Sequence, residues 1–387
     1  MLALPGKVLC YDCGDECTDL EEMMEFNPTL LASLRADLAE LTALHGPSGS
    51  EQPVISRLRD LFVPLADRVA VDHMGNLTAT TDGPSGTPHV VVAAHADEIG
   101  ATVAAIEPDG FLRLFALGGV QPRLLEGRPI SVQGQPGVIG ARSGHLVRDD
   151  RGAGIADLYV DLGVDSASEV AALGVRVGDP VTVVSELRDL AGSRVSGKGI
   201  DNRASCVILL HLLRAIRDRP LPYTLTALVA VQEEVGLRGA AAAFTRLAPD
   251  LAIVLDTAPA GGTPDTRHLA YPIQIGHGVL IQPAGGSGDL GFLMPRAVRD
   301  SLIAAAERAG IPYQLGVSAG GVTDAAAAHL AAGGIPTLQI QIPRRYSHSP
   351  VELLDMRDLA AALALSAELL RHPPSAEALA FLPTPTP

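Results

Sequence analysis

The sequence predicts an α/β fold: a three-layer α/β/α domain interrupted by a small inserted β-barrel. Three observations predict it. Apolar runs rich in Val, Ile and Leu alternate with amphipathic helical stretches, the rhythm of helices packed on a largely parallel sheet. Over residues 102–195 that rhythm gives way to short strand-like runs broken by Gly and Pro, the texture of a small barrel or sandwich. Several of the long apolar runs end in His, Asp or Glu, as strands do when they feed a crevice at their carboxyl ends.

The elements follow in order. "TLLASLRADLAELTAL" is an amphipathic helix, "GPSGSE" a turn with a cap signal, and "QPVISRLRDLF" a second helix. "HVVVAAHADEIG" is a buried strand leading into polar residues. The insert contributes "RPISVQG", "GVIGARSG", "ADLYVDLG" and "DPVTVVSEL". Helix and strand then alternate: "SCVILLHLLRAIRD", "YTLTALVAVQ", "LAIVLDT", the helices "PRAVRDSLIAAAERAG" and "TDAAAAHLAAGG", the strand "PTLQIQIP", and a last helix around "MRDLAAALALSAELLRH". Residues 27–101 and 196–372 therefore form one discontinuous domain, and residues 102–195 the insert. Residues 1–26 read as a poorly ordered leader and 373–387 as a tail.

Bulk properties exclude several classes. The formal charge of −15 argues against nucleic acid, which needs clustered Lys and Arg, and the only lysines are Lys7 and Lys198. No apolar run is long enough to cross a bilayer, and the N-terminus lacks a secretory h-region, so a soluble cytoplasmic protein is expected. Four cysteines do not make a disulfide framework in 387 residues. Cys10, Cys13 and Cys17 have a metal-binding look, but no second Cys or His group lies nearby to complete a zinc site.

The chemistry-bearing residues share one address. His95 and Asp97 follow "VVVAA", Asp201 follows "SGKGI", Glu233 and Glu234 follow "LVAVQ", Asp256 follows "AIVL", and His348 comes shortly after "LQIQIP". Taken singly, Asp201 reads as a helix N-cap and Asp256 as a turn residue. Taken together, two histidines and these carboxylates in one crevice would repel without cations, and imidazole with carboxylate suits zinc and its first-row relatives. In His-x-Asp, the carboxylate at Asp97 can fix the tautomer of His95. His89, His211 and His329 are given no role.

The stretches "HGPSGSE", "VDHMGNLTA", "AAHADEIG", "GKGIDNRA", "VQEEVGLRGA", "VLDTAP", "GVTDAAAA" and "PRRYSHSPVE" carry a resemblance. In them the chain resembles the TET-type (tetrahedral) aminopeptidases, the glutamyl and deblocking family of dinuclear metallopeptidases. The resemblance implies an aminopeptidase domain that removes N-terminal residues from short peptides with a metal-activated water. It implies two divalent metal ions per subunit, zinc or cobalt. His95 and Asp256 would hold one, Glu234 and His348 the other, and Asp201 would bridge them. It also implies Glu233 as general base, Asp97 as the group that orients His95, a cis peptide at Asp201–Asn202, and dimers assembled into a dodecamer.

Two other readings compete. A metal-dependent deacylase would keep the same site. "GVSAG" matches the GxSxG nucleophile elbow, with Ser318, Asp324 and His348 in the chain order of an α/β-hydrolase triad. Asp324 is too close to Ser318 for the acid of a later strand, and a serine mechanism leaves the other acidic residues without a task. Residues 257–292, which include Arg267, His268 and His277, depart most from the family pattern and leave the preferred N-terminal residue open.

Overall fold

The computed structural model describes residues 28–141, 154–217, 219–266, 271–287 and 290–382. The leader with Cys10, Cys13 and Cys17, the residues Arg267 and His268, and the last five residues of the tail lie outside them.

Strands β1 (Arg68–Val71), β2 (Leu77–Thr81) and β3 (His89–His95) come first. Six more follow: β4 (Gly100–Ile106), β5 (Leu112–Leu117), β6 (Pro129–Val132), β7 (Gln135–Ala141), β8 (Leu158–Asp161) and β9 (Pro180–Val183). The chain then supplies β10 (Arg188–Asp189), β11 (Arg194–Gly197), β12 (Thr224–Ala230), β13 (Leu251–Pro259) and β14 (Val279–Ser287). The last four are β15 (Leu290–Leu293), β16 (Tyr313–Ala319), β17 (Thr337–Arg345) and β18 (Glu352–Asp355).

One sheet runs β1-β2-β12-β3-β13-β17-β18-β11-β10, with β14, β15 and β16 attached beside β17. At its centre β12, β3, β13 and β17 are mutually parallel. Their near-continuous Val, Ile, Leu and Ala are buried along almost their whole length, as a strand covered on both faces requires. The helices Pro28–Ala43, Ile200–Ile216 and Met356–Arg371 pack against one another on the sheet, and Arg238–Leu247 packs with Asp324–Ala328. The result is the three-layer arrangement that the alternation predicts. Among the described residues no helix is long and apolar enough to cross a membrane.

The strands β4-β5-β8-β7-β6-β9 close into a separate antiparallel barrel around Val103, Leu112, Leu114, Ile130, Ile139, Leu158 and Val160. The chain enters it five residues after His95 and is back in the main sheet at β10 and β11, shortly before Asp201. The barrel is therefore strung between two of the candidate site residues.

Two local expectations fail. The helix expected over "TDAAAAHLAAGG" is a five-residue helix, Asp324–Ala328, followed by a separate 3-10 turn, with Ala332 at φ 50° ending any helical run. Ser318 lies within β16, not on a strand-to-helix turn, so the nucleophile-elbow geometry is absent.

The loop before the second helix is tied to the end of β3 by buried charges. Arg203 is fully buried and donates to the carbonyls of Ala96 (2.7 Å), Leu41 (3.0 Å) and Gly46 (3.4 Å). Lys198 reaches both oxygens of Glu98 at 3.0 Å and the Leu44 carbonyl at 2.9 Å, while Gly46 N–H donates to Glu98. Every donor in this knot has a buried acceptor, and Arg203 stands 3.6 Å from Glu98. Arg203→Met would leave Glu98 undercompensated and take from the Ala96 carbonyl its side-chain donor, while the Leu41 and Gly46 carbonyls keep backbone donors. Urea unfolding should show a loss of about 3–5 kcal/mol, whereas a loss below about 1 kcal/mol would mean that the knot does not hold the loop.

Candidate active site

Parallel pairing sets the geometry. His95 ends β3 and lies opposite Ala230, the last residue of β12, so the segment carrying Glu233 and Glu234 leaves the sheet beside it. Asp256 sits in β13 opposite Gln341 of β17, and His348 follows the end of β17 by three residues. Asp201 starts the helix Ile200–Ile216 with non-helical dihedrals, and the Asp201–Asn202 peptide is cis. Parallel strands put all these ends on one edge of the sheet.

The side chains form two clusters that share Asp201. His95 Nε2 lies 3.3 Å from Asp201 Oδ1, 3.6 Å from Asp256 Oδ1 and 3.8 Å from Glu233 Oε2. His348 Nε2 lies 3.4 Å from Asp201 Oδ2 and 3.4 Å from Glu234 Oε2. His95, Asp201 and Asp256 thus offer one set of ligand atoms, and Asp201, Glu234 and His348 a second. The fit to cations has a direct sign: Asp201 Oδ1 and Glu234 Oε1 are buried acceptors with no hydrogen-bond donor among the described residues.

Further residues hold these ligands. Asp97 accepts from Ser48 Oγ at 2.6 Å and from the backbone N–H groups of Glu233 (3.0 Å) and Glu234 (3.1 Å). Its carbonyl lies 3.2 Å and its carboxylate 3.4 Å from His95 Nδ1, which leaves Nε2 facing the cluster. On the other side, His348 Nδ1 meets the Gly119 carbonyl at 3.3 Å. Gly119 comes from the loop after β5, and a Cβ there would stand 2.4 Å from His348 Nδ1, so only glycine permits the approach. Glu352 accepts from Asp201 N–H and His348 N–H, both at 3.0 Å. Sequence reasoning missed Ser48, Gly119, Glu352 and Arg344, which donates to Asp201. None carries a motif signal by residue type alone.

A cavity of about 450 Å³ opens on both clusters, lined also by Thr257, Gln282, Ser318, Thr323 and Gln341. Ser318 has no hydrogen bond to a histidine among the described residues. Both Asp324 oxygens lack a donor there, and burial pushes that carboxyl up to about 8, so it does not act as a triad acid.

Burial and crowding move the charges. Burial pushes Glu233 well above the carboxylate range and Glu234 to about 8. Burial alone would lower His95, but Glu233, Asp201, Asp256 and Asp97 hold it well above its ordinary value. Asp201 goes the other way: despite burial, Arg344 and the two histidines keep it well below its ordinary value.

Fold and site together define the class, an α/β/α protein with two histidine–carboxylate clusters at the ends of a parallel sheet. The chain belongs to the M42 glutamyl aminopeptidase family, whose model matches residues 75–365. It is 34% identical over 336 residues to a putative aminopeptidase of Acetivibrio thermocellus, covering 86% of this chain and 97% of the relative. The structure of an aminopeptidase from Desulfurococcus kamchatkensis matches with a TM-score of 0.84 at 33% identity, over 89% of this chain and 96% of that one. The TET1 peptidase of Pyrococcus horikoshii, described as assembling into a tetrahedron or a large octahedral shell, matches with a TM-score of 0.77 at 31% identity, over 87% and 98%.

The charge pattern predicts a pH dependence for protein stripped of metal. Glu234 is raised from 4.5 to about 8, chiefly by burial. His348 is raised from 6.5 to about 9: burial opposes the rise, and Asp201 and Glu234 outweigh it. A raised folded value means stability that is present at low pH and lost as pH climbs through that value, so both groups act in the same direction. Asp201 acts oppositely, but only in the acid range. The melting temperature of chelator-treated protein should fall from about pH 5 to about pH 9, and a divalent cation should restore most of it at the upper end. A flat profile would contradict the crowding.

Proposed function

We propose that the chain is a dinuclear metallo-aminopeptidase that hydrolyses the N-terminal peptide bond of short peptides. The observation that carries this is the position of Asp201, whose two oxygens face two different histidine–carboxylate clusters. His95 and Asp256 would hold one divalent cation, Glu234 and His348 the other, with Asp201 between them. Imidazole and carboxylate donors suit zinc or cobalt. When bound, such cations lower the pKa of a water towards neutrality and polarise a carbonyl.

The chain's own residues supply the rest. Glu233 Oε2 borders the His95 cluster but completes neither ligand set, so its carboxylate is placed to take the proton from the attacking water and return it to the leaving amine. Asp97 fixes both neighbours of that event: it orients His95 and, through two backbone N–H groups, the glutamate pair. With those carboxylates committed to cations, the substrate's free, unprotonated α-amino group would be anchored at the second cation position, which suits an exopeptidase. The adjacent glutamates thus divide the work.

Assembly is proposed on the likeness to the TET1 peptidase: a homo-oligomer, built from dimers into a dodecamer. Leu293, Leu315 and Val317 on β15 and β16 are half or more exposed, which suits burial between subunits. The barrel, taken as residues 102–195, would serve both assembly and, through Gly119, the site.

Three measurements test the roles. Glu233→Gln should keep its metal content while hydrolysis of aminoacyl chromogenic substrates falls about 10²–10⁴-fold. Glu234→Gln should lose metal from one position. A strong chelator should abolish activity, and Zn²⁺ or Co²⁺ should restore it. Metal loss from Glu233→Gln with full metal in Glu234→Gln would swap the two roles; unchanged activity in both would sink the reading.

A further inference from the structure

We infer that Arg344 is a positioning residue that makes the two cation positions unequal: its guanidinium holds Asp201 Oδ2 and so weakens the position at Glu234 and His348. The inference rests on the two-cation reading above and concerns this chain's own residues. Arg344 is 2% exposed, near the end of β17. Its planar fork is hydrogen-bonded at two nitrogens, and the third, Nη1, makes no hydrogen bond and only stands beside a carboxylate. Nε donates to Thr257 Oγ1 at 2.6 Å, Nη1 lies 3.1 Å from Glu352 Oε1, and Nη2 donates to Asp201 Oδ2. Glu352 in turn accepts from the backbone of Asp201 and His348. The guanidinium therefore cannot swing away without giving up its hydrogen bonds to Thr257 and Asp201.

The two oxygens of Asp201 are consequently not equivalent. Oδ1 has no donor among the described residues and lies 3.3 Å from His95 Nε2. Oδ2 lies 3.4 Å from His348 Nε2 and already carries the Arg344 contact. A cation bound between Asp201, Glu234 and His348 must share that oxygen with a charge that is never lost, because a guanidinium stays protonated at any working pH. In a buried setting the repulsion is little screened by salt. A second observation points the same way: the His348 side chain is 28% exposed and that of His95 2%, so a cation on the His348 side keeps better access to water. An arginine that served only to hold the fold would support both ligand sets alike.

Calorimetric titration of metal-stripped, full-length protein with Co²⁺ reads the two steps, and the visible absorption of bound Co²⁺ reports each ligand set separately. The wild type should bind two equivalents, the second at least about tenfold more weakly. Arg344→Gln should tighten the second step and narrow the gap to about threefold or less, while Arg344→Lys, which keeps the charge, should retain most of it. Thr257→Val, which only loosens the fork, should narrow the gap in part, and it decides the question if Arg344→Gln does not fold. Two equal steps in the wild type would overturn the inference, as would equal weakening of both steps in Arg344→Gln or an unchanged gap in Thr257→Val. Binding of fewer than two equivalents even in excess Co²⁺ would overturn the two-cation reading itself.

Discussion

Buried carboxylates repel one another, and the strand ends of this sheet gather Asp97, Asp201, Glu233, Glu234 and Asp256 into one crevice with little water. Left alone, such a group must bind protons or find cations. The directions of the shifts show that pressure: Glu233, Glu234 and Asp256 are pushed up by burial, and both histidines are held in their protonated range by the acids around them. Much of the surrounding structure serves to keep the charges in place despite this pressure.

The restraints differ in kind. Asp97 gathers a hydroxyl and two backbone N–H groups, so the glutamate pair is fixed by its main chain and its side chains remain available for chemistry. Glu98, Lys198 and Arg203 lock the loop carrying Ser48 to the end of β3. Glu352 and Arg344 brace Asp201 and His348 from the far side. The inserted module reaches the site through the Gly119 carbonyl on His348 and through Gln121, whose Nε2 donates to the neighbouring Ser347 carbonyl. Breaking any of these restraints should disturb ligand geometry before it unfolds the domain.

The sheet and its ligands were legible in the sequence because parallel strands buried on both faces must be apolar throughout. A His or Asp at the end of such a run therefore stands out, as at His95 and Asp256. The motifs around Asp201, the Glu233–Glu234 pair and His348 pointed to the other residues that meet in or beside the two clusters. The bracing residues were not legible. Arg344 reads by residue type as a surface charge past the apolar run of its strand, Glu352 opens a short strand beyond a turn, and Gly119 matters only because an imidazole happens to lie 3.3 Å away. Local propensity misled at "TDAAAAHLAAGG", where alanines favour helix but the chain turns at Ala332. The short pattern "GVSAG", already at odds with the rest of the site residues, is no guide by itself, since GxSxG says nothing about whether its serine lies inside a strand. The edge strand β16 and the β1–β2 hairpin gave weaker signals, because one exposed face breaks up the apolar run.

The account stands on two cations sharing one carboxylate. Anomalous diffraction from crystals of the protein grown with Zn²⁺, recorded on both sides of the zinc absorption edge, tests this most directly. It should show two peaks, one among His95, Asp256 and Asp201 and one among Glu234, His348 and Asp201, each at about 2.0–2.2 Å from its nitrogen and oxygen ligands. A crevice with no peak, or with zinc bound away from Asp201, would contradict it.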